Sequence, residues 1–299
     1  MAQGSSGWGP IGVMRSWLRL GPRPARAVEK PQRGALWAWI VFGIGFLYFF
    51  LPLVATIEFS LGHPIGPVGA PPSLQYYENF LLKPNSEFFP RLGFSFIVAI
   101  ATIILSISII VPTAYWVRLR IPRLRPIVEF VTLMPFVIPP VVAVFGLIRT
   151  FSGPPFPLMD TTLGSNIVLV CAYTILSFPY MYRAVDTGLR AVDIQSLTEA
   201  AQSLGAGWPK IIVSVIFPNI RVALLSGAFL TLAIVIGEYT MASFLGSKTF
   251  GPYLSLLGQN RAFEPAGVSI ISFGLTWLAM GAIQILGRSG QRVQVGGAR

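Results

Sequence analysis

Six stretches of the chain are apolar for long enough to cross the roughly 30 Å of a bilayer's hydrocarbon at 1.5 Å per helical residue. Leu36 to Ile57, Phe94 to Val117, Phe130 to Ile148, Ser165 to Tyr182 and Ala266 to Gly287 carry no charge at all. The remaining stretch, Val222 to Ser247, is interrupted by a single acid, Glu238. The pattern predicts an all-α polytopic integral membrane protein with six transmembrane helices. Pro52, Pro112, Pro135, Pro139, Pro140 and Pro179 fall within these runs, and each removes a backbone donor. Pro135 with Pro139-Pro140 predicts a break near the middle of the third span.

Composition narrows the class. Only 11% of the 299 residues are Asp, Glu, Lys or Arg, where a soluble domain has about 25%. Hydrophobic residues make up 54%, and the mean hydropathy is +0.68. A water-facing surface cannot be built from so few charges, which excludes a soluble enzyme and a disordered chain.

The net charge of +11 would suggest nucleic acid in a soluble protein, but here its distribution reads as topology. Seventeen of the 22 Lys and Arg fall in the N-terminal tail, the second and fourth connections and the C-terminal tail. Lys83, Arg91, Arg149, Lys248 and Arg261 fall on the other side. The bias predicts that both termini are cytoplasmic and that nucleic acid is not a partner. Residues 1–35, rich in Gly, Pro and Arg, read as a mobile basic tail able to touch membrane lipid, followed by a retained helix. Residues 36–287 read as the transmembrane domain and 288–299 as a second cytoplasmic tail. Cys171 and His63 stand alone, so neither a disulfide nor a metal site is expected.

The connection between the fourth and fifth spans, residues 184–219, is too long for a simple link in a compact bundle. Ser196 and Glu199 have the S-x-x-E spacing of a capping box, which predicts a helix starting at Ser196 and running through Ala200, Ala201 and Leu204. Gly205 and Gly207 supply stop signals, Pro209 can open a second short helix, and Pro218 is expected to end it. Helix, glycine bend and helix together make a docking element whose small Ala200 and Ala201 permit close approach.

The string EAAQSLGAGWPKIIVSVIFP resembles the EAA loop of permease subunits of bacterial binding-protein-dependent ABC importers: EAA, three residues, Gly, nine residues, then I-x-L-P. Glu199, Ala200, Ala201, Gly205 and Pro218 match, while Val215 and Phe217 are hydrophobic replacements. The likeness extends over about Ser73 to Leu286, taking in SLQYYENFL and the Pro112-Thr113-Ala114-Tyr115 step. It implies that this loop is a coupling helix seated in a cytoplasmic ATPase, with Glu199 serving as cap, as polar contact to the ATPase, or as both. It also implies an ABC ATPase dimer, a second permease subunit (a paralogue or a second copy) and a periplasmic or lipid-tethered binding protein, in the bacterial inner membrane.

The LG after the triplet resembles the branch of this family that serves polyamines, ferric iron, thiamine, sulfate and molybdate, and within it IVIGEYTMASFLG in the fifth span is similar to polyamine-type permeases. The resemblance implies spermidine- or putrescine-like uptake, with ferric iron, thiamine, sulfate or another small solute as the alternative. Glu238 is the one acid deep in an apolar run; with Tyr239 beside it, it would suit a cation by charge and cation-π contact. Equally, Glu238 would hold helices together through hydrogen bonds.

No GxxxxGK[ST] phosphate loop occurs, so ATP and Mg belong to the partner ATPase, and this chain is expected to bind no cofactor and to catalyse nothing itself. A secondary transporter would need internal repeats and a relay of buried acids. A membrane enzyme would need a nucleophile with a base, or metal ligands, in a cluster. A scaffold would leave the EAA loop unexplained.

Overall fold

The computed structural model describes residues 34–62, 73–84 and 86–288. Most of the two tails and His63 lie outside the described residues. The contacts divide the chain at Leu53 and Val54 into two units. The helix α1, Gly34–Ser60, runs through that boundary. Within the first unit its rings form a ladder on one face, Trp39 to Phe42 to Phe46 to Phe50, at the three- and four-residue spacing that brings helical neighbours together.

In the second unit the order is α2 (Gln75–Leu81), α3 (Phe88–Leu119), α4 (Arg125–Val137), α5 (Pro140–Phe151), α6 (Thr162–Arg190), α7 (Ile194–Ser203), α8 (Trp208–Gly237), α9 (Thr240–Phe244), α10 (Phe250–Asn260) and α11 (Glu264–Arg288). Among the described residues five helices are long and apolar enough to cross a membrane: α1, α3, α6, α8 and α11. The bent pair of α4 and α5 makes the sixth candidate.

The polarity of α3 shows why a membrane is its solvent. Ser95, Ala99, Thr102 and Ser106 recur at helical spacing and are buried, whereas Ile97, Ile100 and Ile104 are exposed on the opposite face. Over residues 95–106 small and polar positions lie inside and isoleucines outside, an arrangement that packs helices closely in lipid, while Phe88, Leu92, Ile110, Val111 and Tyr115 are buried nearer the ends. The Ser106 and Ser177 hydroxyls bond each other across α3 and α6. Between α6 and α8 the close approach rests on glycine: a Cβ at Gly188 would lie 2.5 Å from the Ala223 Cβ, and one at Gly227 would lie 2.7 Å from the Met181 sulfur. Two apolar cores result, one around Phe88, Leu169, Tyr173 and Ala242, the other around Tyr115, Met181, Leu189 and Ile216.

Several expected boundaries move. The third span is not one helix: α4 and α5 meet at 96°, with Ile138 extended before Pro139 and Pro140 in the first turn of α5. Pro135, by contrast, lies inside α4 without ending it, as do Pro112 in α3 and Pro179 in α6. Helix α6 continues to Arg190 and α8 begins at Trp208, so helix takes over most of residues 184–219. Pro218 does not end a helix. The preceding turns, Ile211–Ile216, are π-helical, and the Phe217 amide reaches back to the Ile212 carbonyl, so the wider ladder absorbs the donor that Pro218 lacks. Helix α8 stops instead at Glu238.

Candidate functional site

Helix α7, in the connection expected to dock, is capped by Asp193, not by Ser196. The Asp193 carboxylate accepts the Ser196 amide at 3.3 Å and the Ser196 hydroxyl at 2.7 Å. These two donors hold the Asp193 carboxyl below its ordinary range. The expected capping box is therefore displaced: Asp193 offers an ionised acceptor three residues earlier, Ser196 becomes the third helical residue, and Glu199 falls mid-helix. Glu199 is exposed and accepts Gln195 Nε2 at 3.1 Å.

The far end closes in a Schellman motif. Gly205 has φ of +77°, its amide bonds the Gln202 carbonyl at 2.9 Å, and the Ala206 amide bonds the Ala201 carbonyl at 3.0 Å. No atom lies within 4 Å of where a Gly205 Cβ would stand. Glycine is required here for the left-handed backbone and not for space.

One face of α7 belongs to the bundle. Ile194 and Thr198 are buried, and Ala201 is half-buried against the second core. Ala201, expected at a partner surface, is half-buried: positions 194, 198 and 201 share a face, and Ala201 packs partly on its own chain. Glu199, Ala200 and Ser203 face out, and Leu204 is 87% exposed at the helix end. Glu199, Ala200 and Gly205 thus share an outward surface, with Leu204 as an apolar projection that the sequence reading passed over.

The inward face is tied to α3. The Tyr115 and Thr198 hydroxyls lie 2.8 Å apart, both buried. Trp208, the first residue of α8, packs its ring 4.6 Å from Trp116 and 6.2 Å from Tyr115, and the Arg120 guanidinium stands 5.3 Å over it. The end of α3, helix α7 and the start of α8 are locked together by rings and one hydroxyl pair. The spacing of Ile194, Thr198 and Ala201, and D-x-x-S at Asp193, were the available signals.

Glu238 lies elsewhere, at the break between α8 and α9. Its Oε1 accepts the Met241 amide at 2.8 Å, and its Oε2 accepts the Tyr173 hydroxyl at 2.6 Å and the Ala242 amide at 3.2 Å. The carboxylate ties α6 to the start of α9. Helix α10 seats on the same break: a Cβ at Gly251 would collide with the Glu238 carbonyl, and the Phe250 amide donates to Ser95 Oγ at 2.7 Å. Tyr239 is 44% exposed and lines a cleft of about 500 Å³ with Ser255, Phe273, Thr276 and Trp277. Glu238 is half-buried and is not among the residues lining it. Helix α10 lies between the fifth and sixth apolar stretches and, at 11 residues, is too short to register as a span. Among the described residues no three His, Cys, Asp or Glu are grouped to hold a metal.

Comparison with known proteins supplies the context. A family model described as "Binding-protein-dependent transport system inner membrane component" matches residues 110–289. The methionine import system permease protein of Bacillus subtilis is 34% identical over 130 residues, 44% of this chain and 57% of that protein. A probable molybdenum ABC transporter permease protein of Haloferax volcanii is 29% identical over 206 residues, 64% of this chain and 72% of that protein. A probable sulfate transport system permease protein of Chlorokybus atmophyticus is 30% identical over 165 residues, 52% of this chain and 57% of that protein. The chain thus spans little more than half the length of two of these relatives.

Proposed function

We propose, from the premise that the chain belongs to the family of binding-protein-dependent transport system inner membrane components, that it is the permease subunit of an ATP-driven importer and engages a separate ATPase through α7. The observation that carries this reading is the two-sided character of α7. Its inner face is fixed to α3 by Tyr115 and Thr198, and its outer face leaves Glu199, Ala200 and Leu204 unoccupied by the rest of the described chain. A surface helix anchored this way passes a push on its outer face into the long helices, because the packed contacts between them have little give. ATP and Mg would be bound by the ATPase, a second permease would complete the pathway, and a binding protein would deliver the solute. On this reading the docking end is cytoplasmic, which agrees with the bias of basic residues.

The solute is read differently from the sequence expectation of a polyamine. The charge on Glu238 is already met by three donors of its own chain and is not offered to a cation. The named relatives are methionine, molybdenum and sulfate permeases. Both observations favour the alternative, sulfate or another small solute, with Glu238 as the carboxylate that holds α6, α8 and α9 together. Proteoliposomes containing this chain with its ATPase, permease partner and binding protein should take up labelled sulfate, molybdate or methionine on addition of ATP. Uptake of spermidine alone would restore the polyamine assignment, and ATP-independent uptake would remove the importer reading.

A further inference from the structure

At the end of the bundle that carries α7, helices α4 and α6 enclose a cleft of about 540 Å³ whose walls change character along its length. On α4, Glu129, Leu133 and Phe136 follow one another along a face, running from charged to apolar. On α6, Arg190, Thr187, Arg183 and Tyr180 do the same, and the rings of Phe136 and Tyr180 meet edge to face at 5.4 Å. Beyond the cleft, Phe136 and Val137 are exposed at 57% and 81%, an apolar surface adjoining its polar lining.

The charged end is basic. Asp186 accepts Arg125 at 3.1 Å and Arg190 at 2.6 Å and lies 3.9 Å from Arg118, while Glu129 pairs with Arg125 at 2.9 Å. Four guanidiniums, including Arg183, therefore face two carboxylates, an excess of two positive charges, and both carboxylates are already engaged. Arg183 lines the cleft and has neither hydrogen bond nor ion pair from its side chain among the described residues.

We propose that this cleft holds one anionic phospholipid, its phosphate on Arg183 and an acyl chain along Leu133, Phe136 and Val137. An unpaired guanidinium in a polar cleft at the end of α6, with the exposed apolar side chains of Phe136 and Val137 beyond it, matches a phosphate diester that carries hydrocarbon. A soluble anion would use the first feature and not the second.

The test is native mass spectrometry of the full chain released from nanodiscs containing equal phosphatidylglycerol and phosphatidylcholine. The unsubstituted protein should retain phosphatidylglycerol preferentially. Arg183→Gln should cut that retention roughly fivefold, the size of one basic contact with an anionic lipid, with Arg183→Lys in between and an unchanged thermal midpoint. Two further arms use the unsubstituted protein. Dihexanoyl-phosphatidylglycerol should compete poorly with the long-chain lipid, and inorganic phosphate should not displace it. Equal retention by Arg183→Gln overturns the site. Displacement by inorganic phosphate reassigns it to a free anion, and displacement by the ATPase subunit reassigns the face to that protein; either result overturns the lipid.

Discussion

The hydroxyl of Tyr115, at the end of α3, and that of Thr198, in the middle of α7, lie 2.8 Å apart with both side chains buried. Thr198 also donates to the Ile194 carbonyl at 2.6 Å, which makes it an acceptor for Tyr115. The two residues are unequal partners. Thr198→Val strands a buried tyrosine hydroxyl and should cost about 1–3 kcal/mol, whereas Tyr115→Phe leaves Thr198 its backbone partner and should cost about 0.5–1.5 kcal/mol. The double variant should be no worse than Thr198→Val alone. Thermal unfolding of the four proteins in one detergent checks the order, and the solute moved per ATP should fall as the link weakens.

Gly205 separates conformation from contact. With φ at +77° and open space around its Cβ, Gly205→Ala should cost about 1–2 kcal/mol through the backbone alone. Gly205→Asn should cost less, because asparagine visits this region more readily. Amide exchange at Ala206, whose bond to Ala201 closes the motif, reports the loss. If ATPase coupling follows side-chain size across Ala, Asn and Leu while exchange does not, the outer surface needs a small residue for docking as well.

Asp193 gives α7 a pH dependence of known sign. Its carboxyl is held below the ordinary range by the Ser196 hydroxyl and amide, so the cap is fully present above the ordinary Asp value of about 3.9 and is lost as pH falls through the lowered one. Exchange at the Ser196 amide should rise on acidification through that window. Asp193→Asn, which still accepts the amide, should abolish the trend and leave the helix in place near neutral pH.

Glu238→Gln keeps one acceptor oxygen and sets an amide against the Tyr173 hydroxyl. Loss of a charged hydrogen bond of this kind costs about 1.5–3 kcal/mol. The thermal midpoint should drop, and uptake of every solute should drop with the folded fraction. Tyr173→Phe should lower the midpoint less. A selective loss of spermidine uptake at unchanged stability would contradict the role given to Glu238.

What was readable in the sequence follows from physics that acts locally. Length and apolarity located α1, α3, α6, α8, α11 and the bent pair of α4 and α5 because a bilayer imposes both, and Pro139-Pro140 marked the break between α4 and α5 because proline constrains its own neighbours. The helix and glycine bend around Glu199, Ala200 and Gly205 were legible, and the three residues lie on its exposed side. The cap was misplaced because Asp193 and Ser196 both satisfy the rule, and only the helix register chooses between them. Pro218 misled because its effect depends on a π-helical turn that no local preference announces. Tyr115, Thr198, Trp116 and Trp208 went unseen as a group because 83 residues separate the hydroxyl pair, and Glu238 looked free for a cation because Tyr173 lies 65 residues away.

The central claim, that α7 presents its outer face to an ATPase, is tested most directly by cysteine protection. Cys171 is the one native cysteine, so Cys171→Ser gives a background in which Ala200→Cys or Ala201→Cys is the sole thiol. Membrane-impermeant maleimide should label the exposed position 200 readily and the half-buried position 201 slowly. Assembly with the ATPase subunit should suppress labelling at 200 by an order of magnitude or so, as burial under a protein interface requires. Labelling at 200 that proceeds at the same rate with and without the bound ATPase would contradict the account.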